Sequence, residues 1–256
     1  MKTAMDTIDE LRTIHGDFAE RDIPDEVLEK IVRSSVKAAN SSARQAYAIV
    51  VTRRKDVMAS FGYTGACMLI YCADYHRQRK LAHYHGFSPG PLTIRRLMLA
   101  SIDATLAAQT AVIAAKAQGV DSLVTNCIHR GDMNRVYTAL DLPEKDVFPV
   151  IAVVLGYPVS EETRKKGRLD DKAVIHTETY KAADSDECRR LTERYDREDL
   201  GLVPPETWKE QGFNHYLEWF FKRWSGFSKL SESTEEKNDA EKDQYDEIAK
   251  RSGLII

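Results

Sequence analysis

Three short polar segments of this 256-residue chain carry the side-chain types that hold an anion or a polar ring. Arg12-Thr13-Ile14-His15 places a guanidinium, a hydroxyl and an imidazole within four residues, which suits a phosphate. A solvated helix end has the same composition. Asn40-Ser41-Ser42, with Arg44 and Gln45 following, offers small polar groups for a ligand's hydroxyls or ring edge. An ordinary Ser-rich turn offers them too. Arg164, Lys165, Lys166 and Arg168 surround Gly167 and together can neutralise a phosphate, or simply form a solvated loop.

Other chemistries find less support. Seven histidines are dispersed, and although His76, His83 and His85 lie near one another, no carboxylate or Cys completes a recognised metal spacing. No metal site is expected. The four cysteines, Cys67, Cys72, Cys127 and Cys188, contain no C-x-x-C and are too few for a disulfide framework. Cys127 reads as a nucleophile or as a small buried hydrophobe, and no Cys-His-Asn signature supports the first. Neither G-x-G-x-x-G nor a Walker A pattern occurs. Asp103 is either a buried, paired carboxylate or a surface residue. Trp208, Trp219 and Trp224, with Phe213, Tyr216, Phe220 and Phe221, form a C-terminal aromatic set whose spacing 216, 220, 224 fits one helical face.

Charge narrows the classes. Lys and Arg total 37 against 40 Asp and Glu, a formal net charge of −3 with pI ≈ 6.2. That balance, with 43% hydrophobic residues, excludes a disordered chain and argues against a nucleic-acid binder. Residues 226–256 hold eight acids and five bases, which is the whole excess. The body is neutral, and its basic residues gather at 12, 166 and 168. Residues 1–11 carry charges and no apolar h-region, and the apolar stretch Leu92–Gln118 is broken by Arg95, Arg96, Asp103 and Lys116. The expectation is a soluble cytoplasmic protein without a signal peptide or membrane span.

The elements that must position these residues read as follows. Pro24–Ala39 has acidic residues in its first turn and an apolar stripe, so a helix. Tyr47–Thr52, Met68–Ala73, Val120–Thr125 and Phe148–Leu155 are apolar, β-branched runs bounded by polar or turn residues, so strands. Leu92–Gln118 contains eight alanines and is stopped by Gly119, a helix that lets neighbouring backbones approach closely. Asp132–Leu140 is a further helix. A helix-rich segment runs to about Trp224, and 226–256 reads as a frayed helix or charged tail. Strands and helices alternate irregularly, which favours α/β or α+β over all-α.

In their order, these segments resemble the FMN-dependent nitroreductase/flavin reductase family, particularly its longer oxygen-insensitive NADPH-nitroreductase branch, over most of residues 5–225. Arg12-Thr-Ile-His15 with Phe18 resembles its R-S-x-R motif and Phe. Ala39-Asn-Ser-Ser-x-x-Gln45 before Ile49-Val50-Val51 resembles its Ser-rich loop and strand. Tyr71-Cys-Ala-Asp-Tyr-His-Arg77 resembles (F/Y)-C-A-D-(F/Y)-N-R. Leu155-Gly-Tyr-Pro158, Lys166-x-Arg168-Leu169 and Val174-x-His176 resemble L-G-x-P, K-P-R-L and V-x-H.

The resemblance implies an α+β fold, a mixed four- to five-stranded sheet wrapped by helices in an intertwined homodimer. It implies residues 1–225 as the FMN-binding domain and 226–256 as an extension. Arg12, Thr13, His15, Lys166 and Arg168 would hold the phosphate and ribityl end of one FMN. Asn40, Ser41 and Ser42 would reach the same FMN from the partner chain, and Gln45 would also bind the cofactor. Thr125, Asn126 and Cys127 would face the pyrimidine edge and N5. NADPH or NADH would donate hydride, and nitroaromatic, quinone or flavin acceptors would receive it by a ping-pong scheme with no catalytic side chain. A flavin-binding or sensing module of the same fold is the alternative. His15 stands where the family has Arg, and Asn126-Cys127 where it has Gly-Gly. Leu202-Val-Pro-Pro205 carries no charge where the branch often has a basic loop for the NADPH 2′-phosphate, so the choice of NADPH or NADH stays open.

Overall fold

A computed structural model describes residues 3–15, 18–90, 92–160, 167–197, 200–225, 247–248 and 250–251. The chain divides into two units, one of residues 1–161 with 238–256 and one of 162–237.

In the first unit the β-branched runs become strands β1 (Tyr47–Thr52), β2 (Cys67–Asp74), β3 (Asp121–Thr125) and β4 (Val147–Gly156). They form one sheet in the order β1-β2-β4-β3, with all three pairings antiparallel. Among the described residues, the mixed sheet that the resemblance implies therefore reduces to a single parallel bridge between Thr13 and Ser122 beside β3. The N-terminal segment meets β3 there and through the Ile14 amide, which donates to the Ser122 carbonyl at 3.1 Å, but extends no ladder. Register slips between Tyr71 and Cys72, where Pro149 lies opposite Cys72. A residue without an N–H is tolerated at such a bulge.

Every residue of β2 is buried, so its alternating side chains feed two cores. On one face Leu69, Tyr71, Val153 and Leu155 meet Ala104, Ala107, Ala108 and Ala111. Those alanines belong to a 24-residue helix, Ile94–Ala117, of about 36 Å. A second helix, Asp25–Ser35, adds Leu28 and Ile31 to the same core. Ser35 Oγ donates to the Ala107 carbonyl at 3.0 Å and lies 3.0 Å from Tyr71 Oη, which satisfies a buried polar group at the junction. On the other face Met68, Ile70, Cys72, Ala152 and Val154 meet Val57, Met58, Phe61, Ile128 and Val136. The helix Ile94–Ala117 is long and apolar enough to cross a membrane by composition, but its alanine face lies in the sheet's core.

In chain order the first unit's helices are α1 (Ala4–Asp9), α2 (Asp25–Ser35), α3 (Lys55–Ser60), α4 (His76–Tyr84), α5 (Ile94–Ala117) and α6 (Asn134–Leu140). Phe18 pairs with Pro158 and lies over Gly156, where a Cβ would come within 2.7 Å of its ring. Far along the chain, Ile248 is buried with Met133 and Tyr137, and Arg251 donates to Asn134 Oδ1 at 2.7 Å.

The second unit contains α7 (Asp171–Val174), α8 (Ser185–Tyr195), α9 (Pro205–Glu210) and α10 (Tyr216–Trp219). Its interior is aromatic: Trp208, Tyr216 and Trp219 are buried, with Tyr195, Phe213 and Phe220 packed against them. The stripe read at 216, 220 and 224 ends at 220, because Phe220–Trp224 winds as a π-turn and leaves Trp224 64% exposed.

Candidate functional site

The sheet edge formed by β3 collects the first candidate group. Ile14 is buried and Phe18 anchors the segment, so the alternating side chains of Thr13 and His15 face outward. Arg12 turns the other way: its Nη2 lies 3.6 Å from Asp121 Oδ2. Lys116 Nζ donates to Asp121 Oδ1 at 2.8 Å, so two cations share one mostly buried carboxylate. At the far end of β3, Thr125 Oγ1 donates to Tyr63 Oη at 3.0 Å and accepts from the Cys127 amide at 3.1 Å. That turn exposes Asn126 and buries the Cys127 side chain.

The second group is the loop Asn40–Gln45. Ser42, Ala43 and Gln45 have φ of 56°, 54° and 46°, the left-handed region that non-glycine residues rarely adopt. Several bonds over-determine this conformation. The Ser41 amide donates to Asp103 Oδ1 at 2.9 Å, and the Gln45 amide donates to Asn40 Oδ1 at 3.1 Å. Arg77 Nη2 donates to the carbonyls of Gln45 and Tyr47. Asp103 is 2% exposed, and its Oδ2 has no hydrogen-bond partner among the described residues. Asp103 is thus the buried, paired carboxylate. A carboxylate inside an alanine-rich helix was the signal for it, but its partner lies 62 residues away and no local pattern names it.

The chain resembles known proteins in sequence and in overall fold. An FMN reductase (NADPH) of Bacillus subtilis (strain 168) is 29% identical over 232 residues, 84% of this chain and 91% of that protein. A second protein of that strain, an FMN reductase [NAD(P)H], is 27% identical over 210 residues, 77% of this chain and 82% of that protein. The structure of NfrA1 nitroreductase from B. subtilis superimposes with a TM-score of 0.78 at 22% identity, over 98% of this chain and 99% of that one. Sequence and fold agree over nearly the whole length. In sequence the chain is similar to FMN reductases, and in fold to a nitroreductase. No protein-family model matches it.

Thr13, His15, Asn40, Ser41, Ser42, Gln45, Thr125, Asn126 and Cys127 all belong to the first unit. Arg168 belongs to the second, where its Nη1 donates to the Gly167 carbonyl at 2.9 Å and its own carbonyl accepts from Arg194 Nη2 at 3.0 Å. Lys166 lies outside the described residues. The Cys127 thiol is fully buried, and burial raises its pKa, so it is a poor nucleophile at neutral pH. Two residues that the sequence did not single out hold candidate residues in place: Tyr63, which bonds Thr125, and Asp121, which holds Arg12. Among the described residues no three His, Cys, Asp or Glu side chains converge in a metal-like group.

Proposed function

We propose that the chain is an FMN-dependent oxidoreductase that takes hydride from NADPH or NADH and passes it to flavin, quinone or nitroaromatic acceptors in a ping-pong scheme. The observation that carries this reading is the match, over 84% of this chain and 91% of the other, to a protein named FMN reductase (NADPH). The residues present fit a flavin mononucleotide. Outward-facing Thr13 and His15, the Asn40-Ser41-Ser42 loop and Gln45 supply hydroxyl, imidazole and amide groups for a polyol and phosphate. Beside that loop, the buried and unpartnered Oδ2 of Asp103 is an acceptor that a ligand hydroxyl or ring N–H would satisfy. Lys166 and Arg168 stay assigned to the phosphate on the strength of their motif. Arg12 contributes through its position, since its guanidinium already faces Asp121.

When bound, the flavin supplies the hydride-accepting ring atom, and the protein binds and orients it and excludes water. Thr125 and Tyr63 fix the turn that carries Asn126 and Cys127, the segment assigned to the pyrimidine edge. A second copy of the chain belongs to this reading. Ile94, Met98, Ile102 and Leu106 recur every four residues along α5 and are 44–60% exposed, an apolar stripe suited to a homodimer. The proposed location is the cytoplasm.

The purified chain, reconstituted with FMN, should be yellow and dimeric, and anaerobic NADPH or NADH should bleach it near about 450 nm. Failure to take up FMN would sink the assignment. Uptake without rapid bleaching would leave the flavin-binding or sensing module in its place. The Arg168→Ala variant should lose FMN affinity by about tenfold or more while keeping its fold.

A further inference from the structure

The turn that carries Asn126 and Cys127 is too short to hold itself. Cys127–His129 is a single tight turn. It is closed by the His129 amide on the Asn126 carbonyl at 2.9 Å and the Arg130 amide on the Cys127 carbonyl at 3.1 Å. Helix α6, which follows it, has seven residues and depends equally on packing. On the inner side Cys127, Ile128 and Val136 join the sheet's core.

The outer side of α6 is covered from far along the chain, by two side chains of the stretch that reads as a charged tail. Ile248 is 2% exposed and packs with Met133 and Tyr137, and Phe148 lies against the same cluster. Arg251 Nη1 donates to Asn134 Oδ1 at 2.7 Å, and its guanidinium sits 5.2 Å from the centre of the Tyr137 ring. Tyr137 Oη donates to the Val147 carbonyl at 2.9 Å, which ties α6 to the start of β4. The next residue, Phe148, meets the His129 ring at 5.8 Å between centroids, and His129 Nε2 lies 2.8 Å from the Pro149 carbonyl. Contacts therefore run without a break from Ile248 through Tyr137 and Phe148 to His129, the last residue of the turn. All of these residues belong to the first unit.

We propose that Ile248 and Arg251 are positioning residues for the flavin, an inference that rests on the flavin reading of Asn126 and Cys127. They clamp α6 and Phe148, and so set where the turn presents Asn126 to the pyrimidine edge. Ile248 enters neither of the two cores that sandwich the sheet. Its loss should therefore loosen the turn locally while the sheet persists.

The test uses the full-length protein reconstituted with FMN. Ile248→Ala and Arg251→Gln are compared with the volume-conserving Ile248→Leu. Leu28→Ala serves as a control, because Leu28 is buried on the opposite face of the sheet from the turn. Amide exchange, FMN affinity, the bound-flavin spectrum and its midpoint potential are measured for each. Ile248→Ala and Arg251→Gln should speed exchange over residues 126–137 and weaken FMN binding about threefold or more. Both should shift the potential and the visible band of the bound flavin. Ile248→Leu should restore most of each change, and Leu28→Ala should lower stability yet keep the parent's flavin signals. Should Ile248→Ala fail to fold, the partly exposed Arg251 carries the same test through Arg251→Gln. A parent protein that takes up no FMN sinks the flavin reading and the clamp with it. A parent that binds FMN, with variants that keep its potential and spectrum, overturns the clamp and leaves the flavin reading standing. Flavin signals that move as far in Leu28→Ala also overturn it, since general loosening would then account for them.

Discussion

The two units of this chain solve the problem of a stable interior by different means. The first buries a sheet on both faces, and most of its apolar residues are aliphatic, among them Leu69, Ile70, Val153, Val154 and the alanines of α5. The second has helices of only four to eleven residues, too short to hold on propensity alone, and gathers them around Trp208, Tyr216 and Trp219. A two-faced core distributes its stability over many contacts. A cluster of a few rings concentrates it, so one substitution there should remove a much larger share of the unit's own stability. All three tryptophans of the chain lie in the second unit, which makes their fluorescence a reporter of that unit alone.

The largest expected effects compare these interiors directly. Leu155→Ala removes a fully buried side chain from the interior strand β4 and should cost about 2–5 kcal/mol. Trp208→Ala should cost about 3–5 kcal/mol, but within the second unit. Hydrogen exchange separates them. The first substitution should raise exchange across β2 and β4, and the second should strip protection from α8–α10 while β2 keeps its own. If Trp208→Ala exposes the sheet amides equally, the two units are one cooperative body and the contrast fails.

A smaller effect tests what the first core is built to hold. Asp103→Ala deletes the acceptor of the Ser41 amide, a buried bond whose loss costs about 1–3 kcal/mol. Amides 40–45 should exchange faster, the three left-handed residues should relax, and FMN affinity should fall. Asp103→Asn retains an acceptor and should restore most of the protection. Unchanged exchange in the Ala variant would show that Arg77 and Asn40 hold the loop without Asp103.

How much of this was legible in the sequence follows the same division. The strands were legible to within a residue or two, because Tyr47–Thr52 and Val147–Gly156 are β-branched runs ended by polar or glycine residues. The long helix was legible through its alanines. Helix α4 was not: His76–Tyr84 has five basic or imidazole side chains and no apolar stripe, so its residues showed only as dispersed histidines. The polar loop 40–45 stood out by composition, yet its strain did not, because Ser42, Ala43 and Gln45 are not glycines. Asp121 and Tyr63 were missed because their partners, Arg12 and Thr125, lie far along the chain. Local pattern names an element, while pairing across the fold is fixed by packing.

The last prediction sets two histidines against each other. In the first unit His129 is mostly buried, with Nε2 2.8 Å from the Pro149 carbonyl, and burial lowers its pKa below 6.5. The unfolded chain then binds more protons, so this residue's contribution is complete above about pH 6.5 and is lost as pH falls through the lower folded value. In the second unit His215 Nδ1 lies 2.7 Å from Asp196 Oδ2, and that bond raises its pKa above 6.5. Here the folded state binds more protons, so the contribution is complete below about pH 6.5 and is lost as pH rises through the folded value. Because the His215 side chain is 45% exposed, screening holds the effect under about 1 kcal/mol. Denaturation followed by tryptophan fluorescence should therefore move to lower denaturant between pH 6 and 8, and His215→Gln should flatten that slope. Exchange protection of β4 should move the opposite way over pH 6.5 to 5 and flatten in His129→Gln. Slopes of one sign in both units, or a fluorescence slope that survives His215→Gln, would mean that other groups set the pH response.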